Sequence, residues 1–386
     1  MTLFAINMTT KLNSGQVNEK RKKVPAAFLN VKRYLVPFAL KRLLLPFVFV
    51  ATFPLSLSLI TRAGARIMLP LLAAMVFSAG LCGSCVAAEK QNDRLRLAEK
   101  KLSDAAPAVR RGALAELLSL KGTKAVPDLL KALDDSDPSV RGEAVLNLGR
   151  LKSGEAVAPL INLLKKDIHA QVRGQAALAI AGIGDLKAVP ALVQCLKDKA
   201  AGVKGSCIRA LGVLKAKEAV VPLANLMAGA DAHLKAQALT ALGQVGSPEA
   251  GGAVRKELEN LRAKKASGAH QDQPLLVEEE AIRALGEIGG AGAAPLVKKG
   301  LDSPDDRIKA VSCRALVKLG DNSGLSVCLG LLKHSEAGIR KEMALALAES
   351  GDASATGAIQ EALRVETNPV VRRILESSLE QSGLKR

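Results

Sequence analysis

The 386-residue sequence predicts an all-α fold, a stack of about eight helical hairpins. Three observations predict it. An aliphatic–basic anchor recurs at near-constant spacing. Small and large aliphatic residues follow it at helical offsets. A turn-forming break then leads into a second apolar stripe. Self-similarity with a period of roughly 20–50 residues marks a stacked-repeat architecture.

The anchor stands at Val109-Arg110, Val140-Arg141, Val172-Arg173, Val203-Lys204, Leu234-Lys235, Ile308-Lys309, Ile339-Arg340 and Val371-Arg372, and Val277-Glu278 keeps the frame with the charge reversed. Successive anchors lie 31, 32, 31, 31, 43, 31, 31 and 32 residues apart. Four residues on come Ala113, Ala144, Ala176, Cys207, Ala238, Ala281, Ser312 and Met343. Eight residues on come Leu117, Leu148, Ile180, Leu211, Leu242, Leu285, Leu316 and Leu347. Such offsets share one face of a helix. The mostly small residue admits a neighbouring helix, and the large one fills the seam.

Each unit then breaks, as at Gly184-Asp185 and Gly246-Ser247-Pro248. Gly251-Gly252 and Gly289-Gly290 are expected in the same break of their units, where turns call for glycine. A second helix follows, with Pro127, Pro159, Pro190, Pro222 or Pro295 near its start. Proline suits the first helical turn because its missing N–H would have no partner there. One hairpin cannot cover both of its stripes, whereas stacked neighbours bury them in a continuous core.

The first-helix pattern, "LKAQALTALG" at Leu234 to Gly243, and the second, "AVPDLLKAL" at Ala125 to Leu133, resemble HEAT repeats. The resemblance is to the short, Ala- and Gly-rich variety also found in phycobilisome-lyase-like proteins, and it covers roughly residues 100 to 380. It implies a right-handed α-solenoid with units starting near 109, 140, 172, 203, 234, 277, 308 and 339, and a C-terminal cap from 371. It also implies that the anchor bases and the acids five residues before the anchors (Asp104, Asp135, Asp167, Asp198, Asp272 and Glu366) form a structural ladder along the inter-repeat turns. The fold specifies little about function, since solenoids serve many roles.

Residues 1–88 differ from the repeats, 89–386. They carry 11 Lys/Arg and a single acid, Glu19, against 44 basic and 36 acidic residues in the remainder. Two apolar runs, Leu43 to Ile60 and Ile67 to Ala88, flank Arg62 and Arg66. The second run, ending in "VAA" before Glu89, resembles a secretory signal. One crossing driven by that run, with the repeats exported, agrees with the positive-inside bias. An uncleaved anchor and lipidation at Cys82 or Cys85 remain open. The expected location is extracytoplasmic, periplasmic or membrane-anchored.

No Ser-His-Asp order, phosphate loop or paired catalytic carboxylates stand out, so we expect a non-enzymatic protein with no metal and no cofactor. Cys195, Cys207, Cys313 and Cys328 replace aliphatic core slots, where buried thiols act as small hydrophobes. Cys195 and Cys207 lie on adjoining helices and could pair in an oxidising compartment. His169, His233, His270 and His334 fall in turns or the insertion. Every aromatic residue precedes Glu89. That argues against base stacking, planar-pigment binding and nucleic acid as a partner.

A protein partner is the expected ligand. In HEAT-like solenoids the second helices line the concave face. One outward slot there reads Lys131, Asn162, Gln194, Asn225, Lys256, Lys299, Gly330 and Glu361; the amides of Asn162, Gln194 and Asn225 can bond an extended backbone, with lysines on both sides. The second candidate is the long fifth unit, whose 12 extra residues fall within Glu259 to Gln271. Arg262, Lys264, Lys265 and His270 make it basic, and Gly268 suggests a mobile loop. The alternative, implied by the lyase-like relatives, is a lyase-like or ligand-transferring protein.

Overall fold

The computed structural model describes residues 88–268, 273–352 and 355–381. Among them there is no strand. Residues 88–101 are helical (α1). The hairpins then follow as α2 (Pro107–Lys121) with α3 (Val126–Ala132), α4 (Pro138–Arg150) with α5 (Val157–Lys166), α6 (Ala170–Ile183) with α7 (Val189–Cys195), and α8 (Ala201–Val213) with α9 (Val220–Met227). They continue as α10 (Ala232–Val245) with α11 (Pro248–Ala266), α12 (Pro274–Ile288) with α13 (Ala293–Lys298), α14 (Asp306–Lys318) with α15 (Leu325–Leu331), and α16 (Ala337–Ser350) with α17 (Thr356–Val365). Helix α18 (Pro369–Gln381) closes the series. The protein is an all-α solenoid.

Local chemistry sets these boundaries. Pro107, Pro138, Pro248, Pro274 and Pro369 open first turns. The carboxylates of Asp137, Asp231 and Asp305 cap α4, α10 and α14 by accepting backbone N–H groups, which meets donors that no intrahelical carbonyl can reach. Gly184, Gly246 and Gly351 end α6, α10 and α16 at φ 87°, 67° and 61°. Lys152 and Lys215 take the comparable slot after α4 and α8 at φ 51° and 50°. There the following N–H groups reach back to Leu148 and Leu211 carbonyls at 3.2 and 3.1 Å, which closes the helix end without glycine.

The anchor frame appears as packing. Leu117, Leu148, Ile180, Leu211, Leu242, Leu285 and Leu316 are fully buried. First helices stack on first helices through a close-approach contact at the helix end. A Cβ on Gly149 would lie 2.9 Å from the Cα of Ala179, and one on Gly286 would lie 2.8 Å from that of Ala315. Gly212 and Gly243 meet Ala241 and Ala284 in the same way at 3.0 and 3.2 Å. Glycine on one helix and alanine on the next therefore fix the unit spacing. One apolar cluster runs from Leu114 to Leu316, and a second from Ala310 to Leu375 takes over across α14.

Two local expectations are corrected. Gly251 and Gly252 lie inside α11, not in the break, which falls at Gly246-Ser247. The insertion is not a loop throughout. Helix α11 runs to Ala266 because Val254, Leu258 and Leu261 extend its buried stripe at spacings of four and three. His270 and most of the segment beyond Gly268 lie outside the described residues, as do the apolar runs, Cys82 and Cys85. Among the described residues no helix is long and apolar enough to cross a membrane.

Candidate functional site: the faces left free by the ion-pair ladder

The anchor arginines Arg110, Arg141, Arg173 and Arg340 are structural. Arg141 donates from Nε and Nη2 to Asp167 at 2.7 and 2.9 Å, and from Nη1 to the carbonyls of Asp135 and Ser136 at 2.8 and 3.1 Å. Asp167 also accepts the N–H of His169 at 2.8 Å. One guanidinium thus ties the turn before its helix to the turn after its hairpin. The motif repeats at Arg110–Asp135, Arg173–Asp198 and Arg340–Glu366, each with a 2.7 Å Nε contact. Bidentate pairing of this kind is strong and geometrically specific.

The acids respond as their surroundings require. Arg340 holds the Glu366 carboxyl down at about 2, against opposition from burial. Arg110 and Arg173 likewise depress Asp135 and Asp198. At Asp167 burial opposes the charged form, but Arg141 and the His169 N–H still hold the carboxyl below its ordinary range.

Farther along, the first helices are also tied together. Arg283 donates to Glu342 at 2.9 Å, and Arg314 bridges Glu342 at 3.1 Å and Glu349 at 2.7 Å. These pairs cross unit boundaries between α12, α14 and α16. Charges on this part of the first-helix face are therefore consumed within the chain.

The second-helix slot is different. Lys131, Asn162, Gln194, Asn225, Lys256 and Lys299 are all exposed. None of the four ladder rungs involves them. They belong to α3, α5, α7, α9, α11 and the 3-10 turn Lys299–Asp302, so consecutive units present one residue each.

The insertion splits into two roles. Arg262 turns inward, donating to Glu278 at 2.9 Å and to the Leu296 carbonyl at 2.7 Å. Lys265 lies 3.6 Å from the same carboxylate. Glu278 is the charge-reversed anchor residue and is buried, so Arg262 supplies the base that the anchor lacks. Lys264 is exposed and remains available. The charge swap was the signal in the sequence for this pairing.

Cys195 of α7 and Cys207 of α8 are joined by a disulfide with Cα atoms 6.2 Å apart. It staples the third hairpin to the fourth, next to Gln194. Cys313 and Cys328 are buried free thiols, and the neighbouring Cys328 with burial pushes the Cys313 thiol up, away from its reactive form. His169 and His334 sit within the turns, with a ring nitrogen 3.5 Å from Asp167 and Asp306 respectively.

The profile of HEAT repeats matches residues 95–181, 157–243, 189–267, 222–316 and 295–380. The chain belongs to the HEAT-repeat family. Among curated proteins, it is similar to a phycocyanobilin lyase subunit alpha from Nostoc sp. (strain PCC 7120), at 29% identity over 148 residues, 38% of this chain and 42% of that protein. The matched region thus spans less than half of that relative's length. Among solved structures, an engineered protein aligns at 23% identity and TM-score 0.41 over 75% of this chain and 88% of its own. The complex of CpcE and CpcF of phycocyanin lyase from Nostoc sp. PCC7120 aligns at 23% identity and TM-score 0.38, over 67% of this chain and 94% of that one.

Proposed function

We propose that this HEAT protein is a non-enzymatic interaction scaffold, exported or membrane-anchored through its N-terminal segment, that binds a protein partner along the second-helix face. The observation that carries the reading is the division of side chains between faces. Ladder residues such as Arg141, Asp167, Arg173 and Asp198 are spent in ion pairs, while Lys131, Asn162, Gln194, Asn225, Lys256 and Lys299 stand exposed in one register. An amide row of this kind suits an extended partner backbone, and the basic end of α11 at Lys264 adds a positive rim. The Cys195–Cys207 disulfide fits an oxidising compartment.

The test is affinity capture with the full chain and with the triple variant Asn162→Glu, Gln194→Glu, Asn225→Glu. Loss of a co-purifying protein from a variant with an unchanged thermal melt supports the reading. Equal recovery removes the second-helix face from it.

A second reading, a lyase-like or ligand-transferring protein, is favoured by the similarity to the lyase subunit. It needs a reactive nucleophile. Rapid alkylation of Cys313 or Cys328 in the folded protein would favour it over the scaffold.

A further inference from the structure

Among the described residues the ladder has a rule and a single unfilled rung. Where the anchor base is Arg, the slot five residues before the next anchor holds a carboxylate, as in Arg110 with Asp135, Arg141 with Asp167, Arg173 with Asp198, and Arg340 with Glu366. At other anchors a different partner is found among the described residues, Asp272 in the slot of Lys235 lying outside them. Lys235 reaches Glu257 at 3.5 Å, Glu278 takes Arg262 at 2.9 Å, and Lys309 takes Asp306 at 2.8 Å. Lys204 is the exception. Its slot is Gly229, and among the described residues no carboxylate lies within ion-pair distance of it.

Asp198 is already committed, and Asp231 caps a helix through one oxygen. Lys204 contributes to the field that depresses Asp198, yet both oxygens of Asp198 are held by Arg173, at 2.7 and 2.8 Å, and one also accepts the Ala200 N–H at 2.9 Å. Asp231 accepts the Leu234 N–H at 2.8 Å as the cap of α10. Lys204 is half-buried. It borders a depression of about 390 Å³ lined also by Lys199, Asn225, Gly229, Asp231 and Leu234. Asn225 belongs to the second-helix row, so this depression adjoins the proposed partner face.

We propose that this depression docks a carboxylate side chain from an acidic segment of a partner protein, which accepts from Lys204 and completes the rung that Gly229 leaves open. Lys199 and the Asn225 amide flank it as further donors. Lys204 is half-buried and has no acid within ion-pair distance among the described residues, so an incoming carboxylate supplies the charge complement that the paired anchor bases already have within the chain. The proposal rests on the scaffold reading and supplies the chemistry of its partner.

The test uses the full chain and an N-acetylated octaglutamate peptide as probe, coupled by a water-soluble carbodiimide and mapped by mass spectrometry. Lys204 is expected to couple at least fivefold more than Lys187 and Lys341, which are exposed on other units. Gly229→Asp supplies the carboxylate from within. A Cβ at this position meets nothing within 4 Å, so the side chain is accommodated. Peptide coupling at Lys204 should fall at least fivefold in this variant and be replaced by an internal cross-link. Gly229→Asn, of the same size without the charge, should keep coupling within twofold. Coupling that merely follows exposure, or that survives Gly229→Asp, overturns the proposal. So does binding of a duplex DNA oligonucleotide that Gly229→Asp weakens, with no peptide coupling, because the site would then take phosphate. Failure here leaves the scaffold reading standing if the triple variant still loses its partner. Loss of the scaffold reading shows instead as unchanged capture.

Discussion

Asp167→Ala removes the acceptor at the centre of the best-buried rung. The Asp167 and Arg141 side chains are only 2% and 10% exposed. The substitution removes the carboxylate that Arg141 Nε and Nη2 share, leaving Nη2 the His169 ring nitrogen at 3.2 Å, and strips the His169 N–H of its acceptor. Breaking a buried pair by removing one partner costs about 3–5 kcal/mol, because an unpaired charge is left behind. Arg141 keeps its two Nη1 bonds to the preceding turn, so we expect the lower end, about 3 kcal/mol. Urea unfolding followed by far-ultraviolet circular dichroism measures it. The control is Glu361→Ala, which breaks a pair with Lys333 whose side chains are 64% and 68% exposed and should cost no more than about 0.5 kcal/mol. A loss below about 1 kcal/mol for Asp167→Ala, or equal losses for the two variants, would refute the view that the ladder holds successive turns together.

Three further outcomes follow from the same geometry. Gly286→Ala places a Cβ 2.8 Å from the Ala315 backbone and should destabilise by about 1–3 kcal/mol, while Gly112→Ala in α2, with nothing within 4 Å, should stabilise by up to about 1 kcal/mol; thermal melts that rank them in the opposite order contradict the close-approach contact. Glu366 has a folded value of about 2 against an ordinary 4.5, so its contribution is complete above pH 4.5 and is lost as pH falls toward 2; Glu366→Gln should flatten the stability profile across that window, and parallel profiles would contradict it. Alkylation of the unreduced, denatured chain should label Cys313 and Cys328 but spare Cys195 and Cys207; reduction should lower stability by roughly 3 kcal/mol, the scale for a loop of about 15 residues.

Much of this architecture was legible because a repeated unit states its core many times. The register of Val140, Ala144 and Leu148 recurs in every hairpin, and these three residues are buried, as are their counterparts apart from the exposed Val109 of the first hairpin. The glycine at the end of the first helix was less legible. Gly149 and Gly286 look like turn residues in isolation, and only the stack shows that they admit Ala179 and Ala315. The insertion was misread because Lys264, Lys265 and Gly268 suggested a loop, although Val254, Leu258 and Leu261 carried a helical stripe through to its end. Partner choice among the charges was the least accessible feature. Arg262 and Glu278 are 16 residues apart, and only the packing of α11 against α12 brings them together. The exposed row from Lys131 to Lys299 was readable as a pattern, since outward slots recur with the same period as the core.

Photo-cross-linking tests the central claim most directly, that this solenoid works through the face of its second helices. A photoreactive residue is placed singly at Asn162, Gln194 or Asn225, and singly at Gln171, Arg209 or Lys341, which are exposed on first helices. The full chain is then irradiated in its native cell extract. The account predicts adducts to one and the same protein from the first three positions and none from the second three. Adducts only from α6, α8 and α16, or equal yields from both sets, would contradict it.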